Sequence, residues 1–114
     1  MTNEAFAKEY PGILDAWSRE EDPQVAGGES FADVEARVMP VIEQHIQAHA
    51  GETLLYVGHG NVFRVMLGAM LDVPAGKRNR IAQDYCAIST AEYDHERKRW
   101  NIRSVNKSIL PEAI

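Results

Sequence analysis

One stretch near the middle of the chain constrains the fold more than any other. Residues 53–57 (TLLYV) form a short, continuous apolar run, and Gly58-His59-Gly60-Asn61 follows directly. Residues 62–71 come next and are apolar on nearly all sides. A short apolar run is typical of a strand buried on both faces of a parallel sheet. The longer run predicts a buried helix. Strand, tight turn and helix in this order indicate an α/β protein.

A second helix is predicted just before this strand. Ser30 followed by Asp33 resembles a capping box, with Asp in place of the usual Glu or Gln. Apolar residues from Phe31 to Ile46 recur at helical spacing, so one face should pack inward. Pro40 is expected to kink this helix, and Gly51 is expected to end it.

Local signals predict the remaining segments. A proline and a glycine should interrupt a short N-terminal helix, acidic and glycine-rich stretches should form loops, and alternating apolar residues should form strands. These segments are a helix over 3–17 broken at Tyr10-Pro11-Gly12, a loop over 18–30, a turn with a basic surface over 72–80, strands from Tyr85 to Tyr93 and from Trp100 to Val105, and a loosely held tail over 108–114.

Composition narrows the class of protein. The chain has 114 residues, with 45% hydrophobic and 25% charged, so residues 1–114 are predicted to form a single globular domain. A net charge of -5 argues against general binding to nucleic acid or anionic membranes. The single cysteine, Cys86, excludes an internal disulfide and a cysteine-based zinc site. No apolar run is long enough to span a bilayer, and a cytoplasmic location is expected.

His59 stands where the predicted strand ends and the predicted helix begins. In open α/β sheets, ligands bind beyond the carboxyl ends of the strands. A helix N-terminus also offers unpaired N–H groups that suit a phosphate or a carboxylate. Gly58 and Gly60 allow a strained turn and the close approach of a ligand, and the imidazole can donate a hydrogen bond or move a proton. The alternative is a plain tight turn in which His59 bonds a neighbouring carbonyl.

Other residues are weaker candidates. His45 and His49 lie four apart on one helix and could chelate a metal, but a solvated helix face is the better interpretation because no third ligand is evident. Arg37 could reach an anion or pair with nearby acidic residues. Arg64 could form a salt bridge or point past the turn toward a ligand. Cys86 is expected to be a small core residue.

Several motifs together resemble the histidine phosphatase superfamily, which includes the cofactor-dependent phosphoglycerate mutases. The pattern GGES-x2-D-x3-R spans Gly27 to Arg37, and ETLLYVGHGNVFRVMLGAML spans Glu52 to Leu71. The stretches DYCAIST and RWNIRSVN are similar to the closing strands of these proteins, and EYPGILDAWSREEDP is similar to the region before GES. The resemblance covers essentially the whole chain.

This resemblance implies a fold, a chemistry and a set of residues. The fold is a truncated three-layer phosphoglycerate mutase-like α/β sandwich: a small sheet with one parallel core strand and a C-terminal hairpin, and helices on both faces. The chemistry is phosphoryl transfer through a phosphohistidine. His59 matches the second catalytic histidine, which holds the phosphoryl oxygens. Gly60 and Asn61 match the turn whose backbone can contact the ligand, and Glu29, Ser30 and Arg37 match a largely structural helix start that borders the site. The phosphate-binding candidates are therefore Gly60, Asn61 and Arg37, with no metal and no cofactor expected.

The sequence departs from the family pattern at one point. The family's nucleophilic histidine lies in an Arg-His-Gly motif, and this motif does not occur in the chain. We therefore expect binding of phosphate or of a small phosphorylated molecule, with impaired phosphohistidine catalysis. A strand at 53–57 without its neighbour would expose an apolar edge, which predicts a homodimer that covers it. The alternatives are a phosphomonoester hydrolase completed by a partner chain and a non-enzymatic, self-assembling interaction module.

Overall fold

The computed structural model describes residues 2–25 and 27–108, so most of the predicted C-terminal tail, residues 109–114, lies outside the described residues. The fold is α/β, and its regular elements are α1 (Asn3–Glu9), α2 (Ile13–Ser18), α3 (Phe31–Ala48), α4 (Gly60–Met70), a 3₁₀ helix (Ala75–Arg80), β1 (Ala87–Asp94) and β2 (Arg99–Ser108). The predicted break at residues 10–12 is confirmed, because it separates α1 from α2. Within the described ranges, no helix is both long and apolar enough to cross a membrane.

The N-terminus of α3 is capped twice. Ser30 Oγ accepts from the Asp33 backbone N–H at 3.1 Å, and Asp33 Oδ2 accepts from the Ser30 backbone N–H at 3.0 Å. The predicted capping box is thus confirmed. Asp22, in the acidic loop, accepts from the N–H groups of Phe31 and Ala32 at 2.7 and 2.9 Å. These bonds fix the loop to α3. They also occupy backbone N–H groups at the N-terminus of α3 that could otherwise bind an anion.

The core forms where α3 packs on α4. Met39 and Ile42 of α3 and Met66 of α4 make up one buried cluster, and Val65 of α4 is fully buried. The side chains around this cluster include Trp100 of β2, so the hairpin covers part of the same core. Burial of both helices along their apolar faces confirms the predicted amphipathic pattern of α3 and the buried character of α4.

The C-terminal hairpin is confirmed. β1 and β2 pair antiparallel, with Ala91 opposite Ile102 and Tyr93 opposite Trp100. The Tyr93 and Trp100 rings meet edge to face, with centroids 5.1 Å apart. Asp94 Oδ1 accepts from two backbone N–H groups of the charged turn, which shapes the connection between the strands. This hairpin is the whole of the sheet found among the described residues.

The parallel core strand predicted at 53–57 is not confirmed. The segment belongs to neither a helix nor a strand, because no neighbouring strand among the described residues pairs with it. Burial still alternates along it: Leu54 and Tyr56 are half-buried, while Leu55 and Val57 are 84% and 90% exposed. This period of two is that of a strand. The Tyr56 hydroxyl lies 2.8 Å from His45 Nδ1 and so holds the segment against α3.

The prediction of a basic solvated surface at 72–80 is wrong for Arg78. Arg78 is buried, whereas Lys77 and Arg80 are exposed. Its Nη2 pairs with Glu35 of α3, and its Nε donates to the Val73 carbonyl at 3.1 Å. Pairing with the Glu35 carboxylate offsets part of the cost of burying this charge, although Nη1 has no hydrogen-bond partner among the described residues. The side chain therefore joins α3 to the 3₁₀ helix.

Candidate functional site

His59 is the residue from which α4 begins. It has an extended backbone (φ -110°, ψ 155°) and occupies the N-cap position, where its carbonyl accepts from the Phe63 N–H at 3.2 Å. Its imidazole is exposed and forms no cap hydrogen bond. The interpretation in which His59 bonds a neighbouring carbonyl therefore finds no hydrogen bond to support it among the described residues. Both ring nitrogens are available to a ligand.

The glycines beside His59 permit close packing rather than a strained turn. Neither Gly58 nor Gly60 has a positive φ. A Cβ at Gly58 would lie 3.4 Å from the Phe63 ring, and a Cβ at Gly60 would lie 3.4 Å from Gln83 Cβ and 3.7 Å from Arg64 Nη1. The chain thus packs three side chains against the glycines that flank the histidine, and the backbone N–H groups that open α4 have no acceptor within the helix.

Asn61 and Arg64 occupy the first turn of α4 and are bonded to each other. Arg64 Nη1 donates to Asn61 Oδ1 at 2.8 Å, and Arg64 Nε donates to the Ile81 carbonyl at 2.8 Å. The sequence left two roles open for Arg64, a salt bridge or an approach to a ligand. Arg64 forms no salt bridge with a described residue, and its hydrogen bond to Asn61 places it next to the residue that follows Gly60. Sequence reasoning missed the contribution of Ile81 and Gln83, because no local pattern indicates which distant segment contacts a helix start. The three-residue spacing of Asn61 and Arg64 is the local signal from which their contact on one helix face could have been predicted.

Arg37 pairs with the acidic loop. Its Nε and Nη2 donate to the two carboxylate oxygens of Glu29 at 3.1 and 2.9 Å. The hydrogen bonds and the charge of Glu29 raise the pKa of the Arg37 guanidinium above its usual value. Both side chains are largely exposed. Among the described residues, Arg37 donates to Glu29 alone, so an anion would have to compete with this carboxylate.

The histidine pair on α3 is engaged elsewhere. His45 Nδ1 lies 2.8 Å from the Tyr56 hydroxyl, and His49 Nδ1 lies 3.1 Å from Glu52 Oε2. Burial raises the pKa of the Tyr56 hydroxyl above its usual value. In the part of the chain that the structure describes, no three His, Cys, Asp or Glu side chains form a group that could hold a metal ion.

The His59 side chain is exposed to solvent. Two shallow concavities lie elsewhere: one of about 690 Å³ along α3 and one of about 240 Å³ between the α3 histidines and residues 54–56. A site open to water weakens each electrostatic contact with an anion relative to a closed one.

Cys86, expected in the core, is exposed at the start of the hairpin with a left-handed backbone (φ 58°).

Known proteins are similar to this chain in sequence and in fold. A profile of the histidine phosphatase superfamily (branch 1) matches residues 1–108. A bifunctional protein of Mycobacterium tuberculosis is 31% identical over 93 residues, which are 82% of this chain and 26% of that protein. A 2,3-bisphosphoglycerate-dependent phosphoglycerate mutase of Brucella anthropi is 41% identical over 70 residues, which are 60% of this chain and 34% of the mutase.

Solved structures agree with the sequence matches. A structure of mycobacterial glucosyl-3-phosphoglycerate phosphatase in complex with VO3 superimposes with a TM-score of 0.74 at 25% identity, over 95% of this chain and 57% of that one. A structure named mycobacterial hydrolase 2 gives a TM-score of 0.78 at 23% identity, over 99% of this chain and 55% of that one. The chain spans little more than half of these structures and about a third or less of the curated relatives. On the profile match over residues 1–108, the chain belongs to the histidine phosphatase superfamily.

Proposed function

We propose that this chain binds phosphate, or the phosphoryl group of a small phosphorylated molecule, at the start of α4. His59 donates from its ring, Gly60 and Asn61 donate from the backbone, and the Asn61 side chain adds a further donor. Arg37 joins the site if the anion displaces Glu29. The single observation that carries the proposal is the exposed His59 imidazole, unbonded at the N-terminus of α4 in a histidine phosphatase-like chain.

Turnover by a phosphohistidine is proposed to be impaired in this chain. Covalent phosphoryl transfer needs an activated nucleophile, and the sequence contains no Arg-His-Gly motif to provide one. The His59 side chain is also exposed among the described residues, so water competes with the protein for each phosphoryl oxygen. Binding therefore survives, while the rate enhancement that depends on several residues acting together is lost.

Vanadate binding tests the proposal. At ten times the dissociation constant, a ligand that binds only the folded state adds about 1.4 kcal/mol to stability, or about 6 °C in Tm for a chain of this size. We expect a saturable rise of this kind for the wild type and none for His59→Gln. His95→Gln is the matched control, because His95 lies in the hairpin turn and should leave the rise intact. An equal rise in wild type and His59→Gln would contradict the proposal.

Hydrolysis of p-nitrophenyl phosphate separates the proposal from its enzymatic alternative. We expect no turnover above the buffer rate by the isolated chain. Turnover that His59→Gln abolishes would instead favour an active phosphomonoester hydrolase. Turnover only after mixing with another polypeptide would favour completion by a partner chain. If the chain shows neither vanadate binding nor turnover, the non-enzymatic interaction module becomes the best account.

A second copy of the chain is the proposed partner. Support comes from Leu55 and Val57, which are almost fully exposed on a segment with strand-like alternation of burial, next to which no strand lies within residues 2–25 and 27–108. We further propose that the chain is a single cytoplasmic domain.

Light scattering after gel filtration tests the homodimer. We expect a dimeric mass for the wild type and a monomeric mass for the double variant Leu55→Lys/Val57→Lys, because two charges oppose pairing of the segment with its copy. Ile88→Lys is the control, since Ile88 is an exposed apolar residue of β1. A monomeric wild type at millimolar concentration would contradict the dimer while leaving the anion site unaffected.

A further inference from the structure

Arg64 fixes which atom of the Asn61 carboxamide is available to a ligand. Arg64 Nη1 lies 2.8 Å from the Asn61 atom that faces it. A guanidinium has donors and no acceptor, so the facing atom must be the oxygen Oδ1. The Nδ2 group, with two N–H donors, lies on the side opposite Arg64.

The Asn61 Nδ2 group is free to bind. Asn61 is exposed, and its Nδ2 has no hydrogen-bond partner among the residues that the structure describes. The group lies on the first turn of α4, two residues after the exposed His59. A carboxamide nitrogen is a good donor to a phosphoryl oxygen when its orientation is set in advance, because less freedom is then lost on binding.

Arg64 is itself held in place from a distant part of the chain. Its Nε donates to the Ile81 carbonyl at 2.8 Å. Three residues further along, the Asp84 backbone N–H donates to Asn106 Oδ1 at 2.7 Å, and Asn106 Nδ2 donates to Asp84 Oδ2 at 3.0 Å. Residues 81–84 are thus anchored to β2. A planar guanidinium can bridge Ile81 and Asn61 at once, because its donors diverge in a fixed fork.

We propose that Arg64 is a positioning residue for the anion site: it holds the Asn61 carboxamide so that Nδ2 donates to a phosphoryl oxygen beside His59. The inference rests on the proposed function and names a residue that prepares the same site. The Arg64 side chain remains bonded to Asn61 and Ile81 when the anion binds and acts through Asn61.

A double-mutant cycle on phosphate affinity measures this coupling. Arg64→Met is expected to weaken phosphate binding by about threefold to tenfold, the range for one hydrogen bond. In an Asn61→Ala background, the same change is expected to weaken it by less than about twofold, because the residue through which Arg64 acts is gone. Equal effects of Arg64→Met in both backgrounds would overturn the inference.

Two single variants distinguish orientation from charge. Asn61→Asp keeps an oxygen for Arg64 but removes both N–H donors and adds a negative charge, so phosphate binding should fall by about tenfold or more while Tm is retained. Arg64→Lys keeps the positive charge but cannot form both bonds, so it should behave like Arg64→Met. Full binding by Arg64→Lys, or by Asn61→Asp, would overturn the inference.

A measurement without any anion keeps the inference apart from the proposed function. In wild type, the two Asn61 side-chain N–H signals of a nitrogen–proton NMR spectrum should lie away from the chemical shifts of a freely rotating asparagine, because the carboxamide is held by Arg64. In Arg64→Met, both signals should move towards those free values as the side chain rotates about Cβ–Cγ, and slow rotation about the amide C–N bond keeps them separate. Unchanged Asn61 signals in Arg64→Met would overturn the inference even if phosphate binds, whereas a wild type that binds no phosphate through His59 contradicts the proposed function.

Discussion

Replacing Glu35 with alanine is expected to lower the free energy of unfolding by about 3 kcal/mol, because it leaves a buried guanidinium without its counter-charge. The Arg78 side chain is only 7% exposed. Its Nη1 already lacks a hydrogen-bond partner among the described residues, and its Nε has the Val73 carbonyl alone. Removal of the carboxylate therefore leaves a charge that neither water nor protein can stabilise well.

Urea denaturation of Glu35→Ala measures this loss. Glu43→Ala, an exposed acid on the same helix, is the matched control and should change stability by less than about 0.5 kcal/mol. Adding Arg78→Met to Glu35→Ala should recover much of the loss, since an apolar side chain of similar length needs no counter-charge. A Glu35→Ala variant as stable as Glu43→Ala would mean that the pair contributes nothing to the fold.

Replacing Gly68 with alanine is expected to destabilise the protein by about 1–3 kcal/mol, the range for overpacking a core. Replacement of glycine by alanine within a helix normally raises the free energy of unfolding by up to about 1 kcal/mol. A decrease on Gly68→Ala would therefore by itself indicate a steric clash. A Cβ at Gly68 would lie 2.6 Å from Cγ, Cδ and Nε of Arg78. Arg78 cannot withdraw easily, because its far end is held by Glu35.

The Arg78→Ala background provides the control for Gly68→Ala. With the arginine stem removed, the new methyl group has room, and the intrinsic helix preference of alanine should make the substitution neutral or stabilising. Thermal or urea denaturation of the four proteins gives the coupling between the two positions directly. A Gly68→Ala variant that is equally destabilised with and without Arg78 would show that the contact is not the cause.

Most helices and the hairpin could be predicted because their signals are local. Ser30 and Asp33 cap α3 within one turn, and Pro11 and Gly12 break the first helix where they stand. The strand at 53–57 could not be judged in this way, since a strand depends on a hydrogen-bonded neighbour that its own sequence does not specify. The continuous apolar run predicted a strand buried on both faces, whereas Leu55 and Val57 are exposed and no strand among the described residues pairs with the segment.

The buried arginine shows the same limit at a single residue. Arg78 lies in a basic run, next to Lys77 and near Arg80, and such runs are usually solvated. Its burial depends on Glu35 and Gly68, which lie on two other helices. Charge patterning along a segment contains no information about partners that are distant in sequence.

The candidate site was partly predictable for related reasons. His59, Gly60 and Asn61 are adjacent in sequence, so their proximity at the start of α4 follows once the helix is predicted. The pairing of Arg37 with the acidic loop was one of the alternatives, and Glu29 is the acid that it binds. The contact of Arg64 with Ile81 had no signal, because a backbone carbonyl leaves no trace in residue type.

The measurement that tests the central claim most directly is an NMR titration of the four histidine rings with inorganic phosphate. The chain has His45, His49, His59 and His95, so three rings serve as internal controls for pH and ionic strength. We expect the ring signals of His59 to shift saturably with phosphate while the other three stay in place. A His59 ring that does not respond, or four rings that shift together, would contradict a phosphate site at the start of α4.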